Sequence, residues 1–115
     1  MTLDEEKAIA RFVADVRRHY GERLHGVFLF GSRARGDAHP DSDADIAVIL
    51  DDGGWRFWNE KMTLAGLAYD TLLAHDLYIQ PWPISRSAWE SPATYRRPRF
   101  IEAIRRDARD LTGTS

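Results

Sequence analysis

Two aspartates one residue apart, Asp43 and Asp45, stand at the head of the apolar run Ala44-Asp45-Ile46-Ala47-Val48-Ile49-Leu50. Side chains alternate along a strand, so the two carboxylates share one face with their Cα atoms ~7 Å apart, while Ala44, Ile46 and Val48 point the other way into a core. An unpaired buried charge is costly, and two like charges this close raise each other's pKa unless a cation lies between them. A divalent metal is the partner such a pair calls for. Mg²⁺ favours hard oxygen ligands, often one or two carboxylates completed by phosphate oxygens and water. Upstream, Gly31-Ser32 breaks another apolar run. Glycine lets backbone approach a bulky anion, the following turn aims free N–H groups at it, and the Ser32 hydroxyl can donate to a phosphate oxygen. Arg33 and Arg35 bring positive charge to the same place, and Ser42 is a further candidate for phosphate contact. A phosphate cradle followed by a metal-binding strand outlines a nucleoside-triphosphate site, where transfer needs mainly positioning and charge stabilisation.

The elements that must position these residues follow from periodicity and breakers. Thr2 with Glu5 reads as a capping box opening a helix near Leu3. Its apolar stripe is Ile9, Phe12, Val13, Val16 and Tyr20, and Gly21 ends it. Leu24–Phe30 reads as a strand apolar on both faces, hence covered on both sides. Ser32–Gly36 has room for one helical turn, Asp37–Ser42 with Pro40 is a loop, and Asp43–Leu50 is the second strand. Asp51-Asp52-Gly53-Gly54 is turn chemistry. Trp55 to His75 reads as a long helix with Trp58, Met62, Ala65, Tyr69 and Leu72 as its inward stripe. Leu77–Ile84 is a third strand whose prolines, Pro81 and Pro83, place its later half at a sheet edge or beyond the sheet. Ser87 with Glu90 is a second possible capping box, and Pro98 suits the first position of a last helix that packs through Phe100, Ile101 and Ile104. The expected architecture is α/β (α+β): a small sheet of three or four strands flanked by helices.

Composition limits what else the chain does. Its 115 residues suit one domain spanning 1–115, and 43% hydrophobic with 30% charged residues is ordinary for a soluble protein. A formal net charge of −2 argues against a generic nucleic-acid binder. Seven arginines against four acids lie from Arg86 onward, which is either a solvated helix face or a surface for an acidic partner or nucleic acid. The absence of cysteine excludes disulfides, thiolate metal sites and a cysteine nucleophile. The acidic start, Met1 to Glu6, does not resemble a signal or transit peptide, and no apolar run reaches the ~18 residues of a membrane span, so the expected location is the cytoplasm with no membrane partner.

Gly31-Ser32, ten intervening residues, then Asp43-Ala44-Asp45 resembles the nucleotidyltransferase motif of the polymerase-β superfamily. The fuller text from Gly31 through Arg33 and Arg35-Gly36 to Asp41-Ser42-Asp43-Ala44-Asp45 is similar to its minimal nucleotidyltransferase branch. The resemblance implies a nucleotidyltransferase fold with a mixed sheet, and metal-dependent transfer of a nucleoside monophosphate from a triphosphate to an acceptor. It assigns the triphosphate to Gly31 and Ser32, and two Mg²⁺ ions to Asp43 and Asp45. Standalone members of this size resemble the antitoxin of pairs whose toxin is a HEPN-type ribonuclease, which the enzyme silences by transferring AMP from ATP.

The superfamily usually sets a third carboxylate, a general base and metal ligand, on the next strand. Here Asp76 is the acid available, at or before that strand's start, whereas Gln80 stands where the acid is expected and an amide cannot accept a proton. Two readings follow: a working enzyme that adenylylates a protein, with Asp76 or another group completing the site, or a degenerate nucleotide-binding antitoxin acting by direct contact. Of four scattered histidines, only His39 lies in the active loop. Trp58 reads as core, and Trp55, Trp82 and Trp89 as exposed anchors for a partner.

Overall fold

The computed structural model describes residues 2–38 and 42–112; His39, Pro40 and Asp41, from the loop ahead of the acid pair, lie outside the described residues. Helix α1 (Leu3–Tyr20) starts as the capping signature predicts, with the Thr2 hydroxyl accepting the Glu5 N–H at 3.2 Å. It buries Ala8, Ile9, Phe12, Val13, Val16 and Tyr20, and ends at Gly21, whose N–H reaches the Arg17 carbonyl. A 3₁₀ turn, Gly21–Arg23, leads into β1 (Leu24–Phe30). Then come α2 (Ser32–Arg35), β2 (Ala44–Leu50), α3 (Phe57–His75), β3 (Ile79–Ser85), α4 (Arg86–Glu90), a 3₁₀ turn at Pro92–Thr94, α5 (Pro98–Asp107) and a two-residue strand β4 (Arg109–Asp110).

The sheet is mixed and has the order β3-β2-β1-β4. β2 runs antiparallel to β1, with Phe30 opposite Asp45 and Phe28 opposite Ala47. It runs parallel to β3, with Gln80 beside Asp45 and Trp82 beside Ala47. β4 closes the other edge against β1. The two prolines do not push β3 out of the sheet: the strand pairs with β2 through Ser85. β3 is an edge strand, and an edge has one side where a missing ladder donor goes unused. Lys61 Nζ donates to the Pro81 carbonyl.

Alternation along β2 divides two cores. Ala44, Ile46, Val48 and Leu50 join Val27 and Leu29 beneath α1 and α3, which contribute Phe12, Val16, Leu64 and Ala68. Ala47 and Ile49 face the opposite side, where Ile84, Ala88, Ile101 and Ile104 meet them, with Phe28 stacked on Trp89 at 4.8 Å. α5 begins at Pro98 and packs through Ile101 and Ile104 as its pattern predicts.

Helix α3 departs from its expected face. Leu64, Ala68 and Thr71 are buried, whereas Trp58 and Met62 are 70% and 67% exposed, and Tyr69 and Leu73 are exposed as well. The helix carries apolar residues on more than one face, so two stripes have helical spacing and periodicity cannot choose between them. The small Ala68 and Thr71 permit close approach to α1, and the Thr71 hydroxyl bonds the Leu67 carbonyl at 3.3 Å. Trp58 is therefore not core. The three tryptophans expected as exposed anchors are half-buried instead: Trp55 donates to the Asp51 carbonyl, Trp89 stacks on Phe28, and Trp82 lies under Lys61. α4 is capped by Ser85, not Ser87: the Ser85 hydroxyl accepts the Ala88 N–H, and the Ser87 N–H goes to Asp52. No helix among the described residues is long and apolar enough to cross a membrane.

Candidate active site

β1 stops at Gly31, which takes φ 76° and ψ −155°, and α2 turns away at once. A side chain rarely adopts that φ, and here there is no room for one: a Cβ on Gly31 would stand 2.7 Å from Asp45 Oδ2. The Asp45 carboxylate thus lies directly against the Gly31 backbone, as the pairing of Phe30 with Asp45 requires. α2 is a single turn closed by Gly36, whose N–H bonds the Ser32 carbonyl at 2.9 Å. Asp43 is exposed one residue before β2, and Asp45 is half-buried. The glycine break and the acid pair, twelve residues apart at their nearest ends, are one place in the fold.

Arg33 is assigned differently from the sequence expectation. Its side chain is only 6% exposed and pairs with Glu5 of α1 at 2.5 Å. Its Nε and Nη2 donate to the Ser42 carbonyl at 3.0 and 2.7 Å. The guanidinium therefore ties α1, α2 and the approach to β2 together. A charged pair this buried needs hydrogen bonds beside the ion pair, and the Ser42 carbonyl accepts two. Glu5, expected to complete the capping box, turns to Arg33 instead. Arg35 stays on the surface with Asp107 at 2.8 Å and Asp37 at 3.4 Å.

Burial raises the Asp45 pKa, the nearby Asp43 raises it further, and Lys61 and Arg35 oppose the shift. A carboxylate held above its ordinary range by desolvation and a like charge is one that a cation would relieve. Two hard oxygen donors on one face suit a divalent ion completed by substrate oxygens and water. Asp76 does not extend that set. It takes the left-handed conformation, φ 56°, at the end of α3, three residues ahead of β3, and Gln80 is what the parallel register brings beside Asp45. Among the described residues, no three His, Asp or Glu side chains gather as a metal cage. The left-handed cap position of α3 is open to aspartate because its short polar side chain tolerates that region.

Lys61, which the sequence reading missed, is the cation on this flank. It projects from α3 across the outer edge of β3 and stands 4.3 Å over the Trp82 ring. Burial lowers its pKa, and the charge of Asp45 opposes that shift. Nothing in its local sequence marks it, since the contact depends on how α3 lies along the edge strand.

Comparison with known proteins identifies the family and the fold. Residues 9–105 match the model of the nucleotidyltransferase domain. Two proteins of Methanocaldococcus jannaschii, each described as a candidate protein adenylyltransferase, are similar: one at 45% identity over 49 residues, the other at 32% over 73. The matched stretches cover 43% and 64% of this chain, and 49% and 72% of the relatives, so the chain spans about half the length of the first. Among solved structures, a candidate nucleotidyltransferase from Sulfolobus solfataricus superposes with a TM-score of 0.56 at 21% identity, covering 74% of this chain and 70% of that one. A toxin–antitoxin structure with AMP-PNP gives 0.55 at 22%, covering 92% and 74%. A Shewanella oneidensis complex of a tri-AMPylated HEPN toxin with its MNT antitoxin gives 0.51 at 19%, covering 95% and 73%. These structures share the fold: a four-stranded mixed sheet with flanking helices. Read with the Gly31–Asp45 contact, the domain match over residues 9–105 shows that the chain belongs to the nucleotidyltransferase domain family.

Proposed function

We propose that this protein is a metal-dependent nucleotidyltransferase that moves AMP from ATP onto a protein acceptor, and that it serves as the cytoplasmic antitoxin of a HEPN-type toxin. The observation that carries the reading is the Asp45 carboxylate seated against the Gly31 backbone, which joins a phosphate-side break to an acid pair. The relatives described as candidate adenylyltransferases support the reaction, and the antitoxin structures of the same fold support the partner.

In this reading the backbone of Gly31 and Ser32 and the Ser32 hydroxyl hold the triphosphate, with Ser42 at the loop's far end beside it. Asp43 and Asp45 hold Mg²⁺, with two ions proposed. The metal supplies charge neutralisation for the phosphates and for the leaving pyrophosphate. The chain's own residues position the reactants: Arg33 holds the loop ends, and Gly31 keeps the cradle within reach of the acids. An acceptor hydroxyl oxygen bonds the α-phosphorus, the bond to the β-phosphate oxygen breaks, and pyrophosphate leaves. The hydroxyl proton passes to solvent, because Gln80 beside Asp45 cannot accept it.

The test is transfer of label from ATP, labelled at the α-phosphate, to a HEPN-type protein from the neighbouring reading frame. Asp43→Asn and Asp45→Asn are each expected to lower labelling by about a thousand-fold, on the scale of losing an electrostatic anchor of the reaction. Labelling that survives in both variants rejects the site.

Gln80 favours a second reading, in which the site binds nucleotide without turnover and the protein neutralises its partner by contact. That reading predicts that the Asp43→Asn/Asp45→Asn double variant still protects cells from the toxin.

A further inference from the structure

On the sheet face that carries Asp45, the strand neighbours lead away from the acids into a second feature. Gln80 lies beside Asp45, and Trp82, two residues on and on the same face, lies beside Ala47. Trp82 meets Phe100 edge-on at 5.5 Å. From there a groove of ≈ 750 Å³ opens between the start of α3, the end of β3 and the start of α5. Trp55, Trp58, Trp82 and Phe100 wall it, and Arg96 and Arg97 form its lip. It therefore begins one pair of strand positions, ~7 Å, from Asp45.

Two properties characterise the groove. The first is charge. Arg96 and Arg97 are exposed, and among the described residues neither guanidinium has an ion pair or hydrogen bond. The second is continuity. Trp58 both walls the groove and heads the exposed apolar stripe of α3 that runs through Met62 to Tyr69 and Leu73. An apolar wall with an unneutralised cationic lip, opening beside the transfer site, matches a ligand that has apolar side chains and negative charge together.

We propose that this groove docks the acceptor polypeptide through an acidic segment carrying apolar side chains, with Arg96 and Arg97 reading the acids and Trp58 and Trp82 the apolar groups. The proposal deepens the adenylyltransferase reading and rests on it for the word acceptor, while the groove's ligand chemistry stands separately. A nucleic-acid strand fits less well. Only two guanidinium groups border the groove, the chain has a net charge of −2, and strand binding draws on many phosphate contacts.

The experiment measures fluorescence anisotropy with a short fluorescein-labelled peptide of alternating glutamate and leucine. A lysine–leucine counterpart and an oligo-dT strand are run beside it, and ATP·Mg²⁺ binding is followed by calorimetry. The expected result is that the glutamate peptide binds best, weakens as salt rises, and binds roughly ten-fold less well to the Arg96→Glu/Arg97→Glu variant, while ATP·Mg²⁺ affinity is unchanged. Asp43→Asn is expected to show the reverse: weaker ATP·Mg²⁺ binding with peptide affinity retained. If the arginine variant does not fold, Trp58→Ala, which removes an exposed side chain, is expected to weaken the peptide by about five-fold. Equal affinity for the peptide in the charge-reversed or Trp58 variant overturns the proposal, as does tighter binding of the lysine peptide or of oligo-dT. Peptide binding without any ATP·Mg²⁺ binding leaves the groove standing and rejects the transferase reading.

Discussion

The two faces of the sheet are built from alternate residues of the same strand, yet they do different work. Beneath α1 and α3, β2 presents Ala44, Ile46, Val48 and Leu50, all buried, under two helices of 18 and 19 residues. On the other face it presents Asp45, Ala47 and Ile49, and the covering helices α4 and α5 have only 5 and 10 residues. The long helices seal their face from end to end. The short ones cover Ala47 and Ile49 and leave the acids and the groove at Trp82 open. One face stores stability and the other leaves the candidate site open, and the length of the covering helices makes the difference.

Substitutions sharpen that contrast. Ile46→Ala, on the sealed face, removes a fully buried side chain and is expected to cost about 2–5 kcal/mol in denaturant unfolding, whereas Met62→Ala on the exposed stripe of α3 should change stability by less than about 0.5 kcal/mol. Similar costs for the two would erase the distinction. Gly31→Ala is expected to destabilise by about 1–3 kcal/mol, through the positive φ and the clash with Asp45. It should also abolish ATP·Mg²⁺ binding in calorimetry; a well-folded variant with normal affinity would show that the close approach of Gly31 to Asp45 is incidental.

The smallest effect concerns pH. Asp45 is raised chiefly by desolvation and secondly by Asp43, so the folded state holds this proton more tightly than the unfolded chain. In metal-free protein, stability should therefore rise as pH falls from the raised value toward the ordinary carboxylate value, and this segment of the curve should flatten in Asp45→Asn. Over the same window protons compete with the cation, and apparent Mg²⁺ affinity should fall. An unchanged stability curve in Asp45→Asn would mean that burial does not strain this carboxylate.

Helix α3 and the third corner of the site show where local pattern stops. α1 was legible because one stripe, Ile9 to Tyr20, is apolar and the rest of the helix is polar. α3 was not, because Trp58-Met62-Tyr69 and Leu64-Ala68-Thr71 both repeat at helical spacing, and only packing against α1 decides which is inward. β3 begins at Ile79, two residues later than its pattern suggests, which leaves Asp76 three residues ahead of the strand at the cap of α3. Arg33 reads as a phosphate ligand because it follows the candidate cradle Gly31-Ser32. Its contacts with Glu5 and the Ser42 carbonyl are brought about by folding.

By itself the sequence determined the placing of the two candidate half-sites, Gly31-Ser32 at a strand's end and Asp43-x-Asp45 at the head of the next. Strand alternation and a glycine break are local rules that act within a few residues. It determined the element order as well, with one short strand left open. Tertiary structure alone decided that Asp45 rests on Gly31, that Gln80 and not Asp76 stands beside it, and that Lys61 comes around the edge strand to Trp82. Each is a contact between residues far apart in the chain, set by strand register and by how a helix lies on the sheet, and neither is written in any local window.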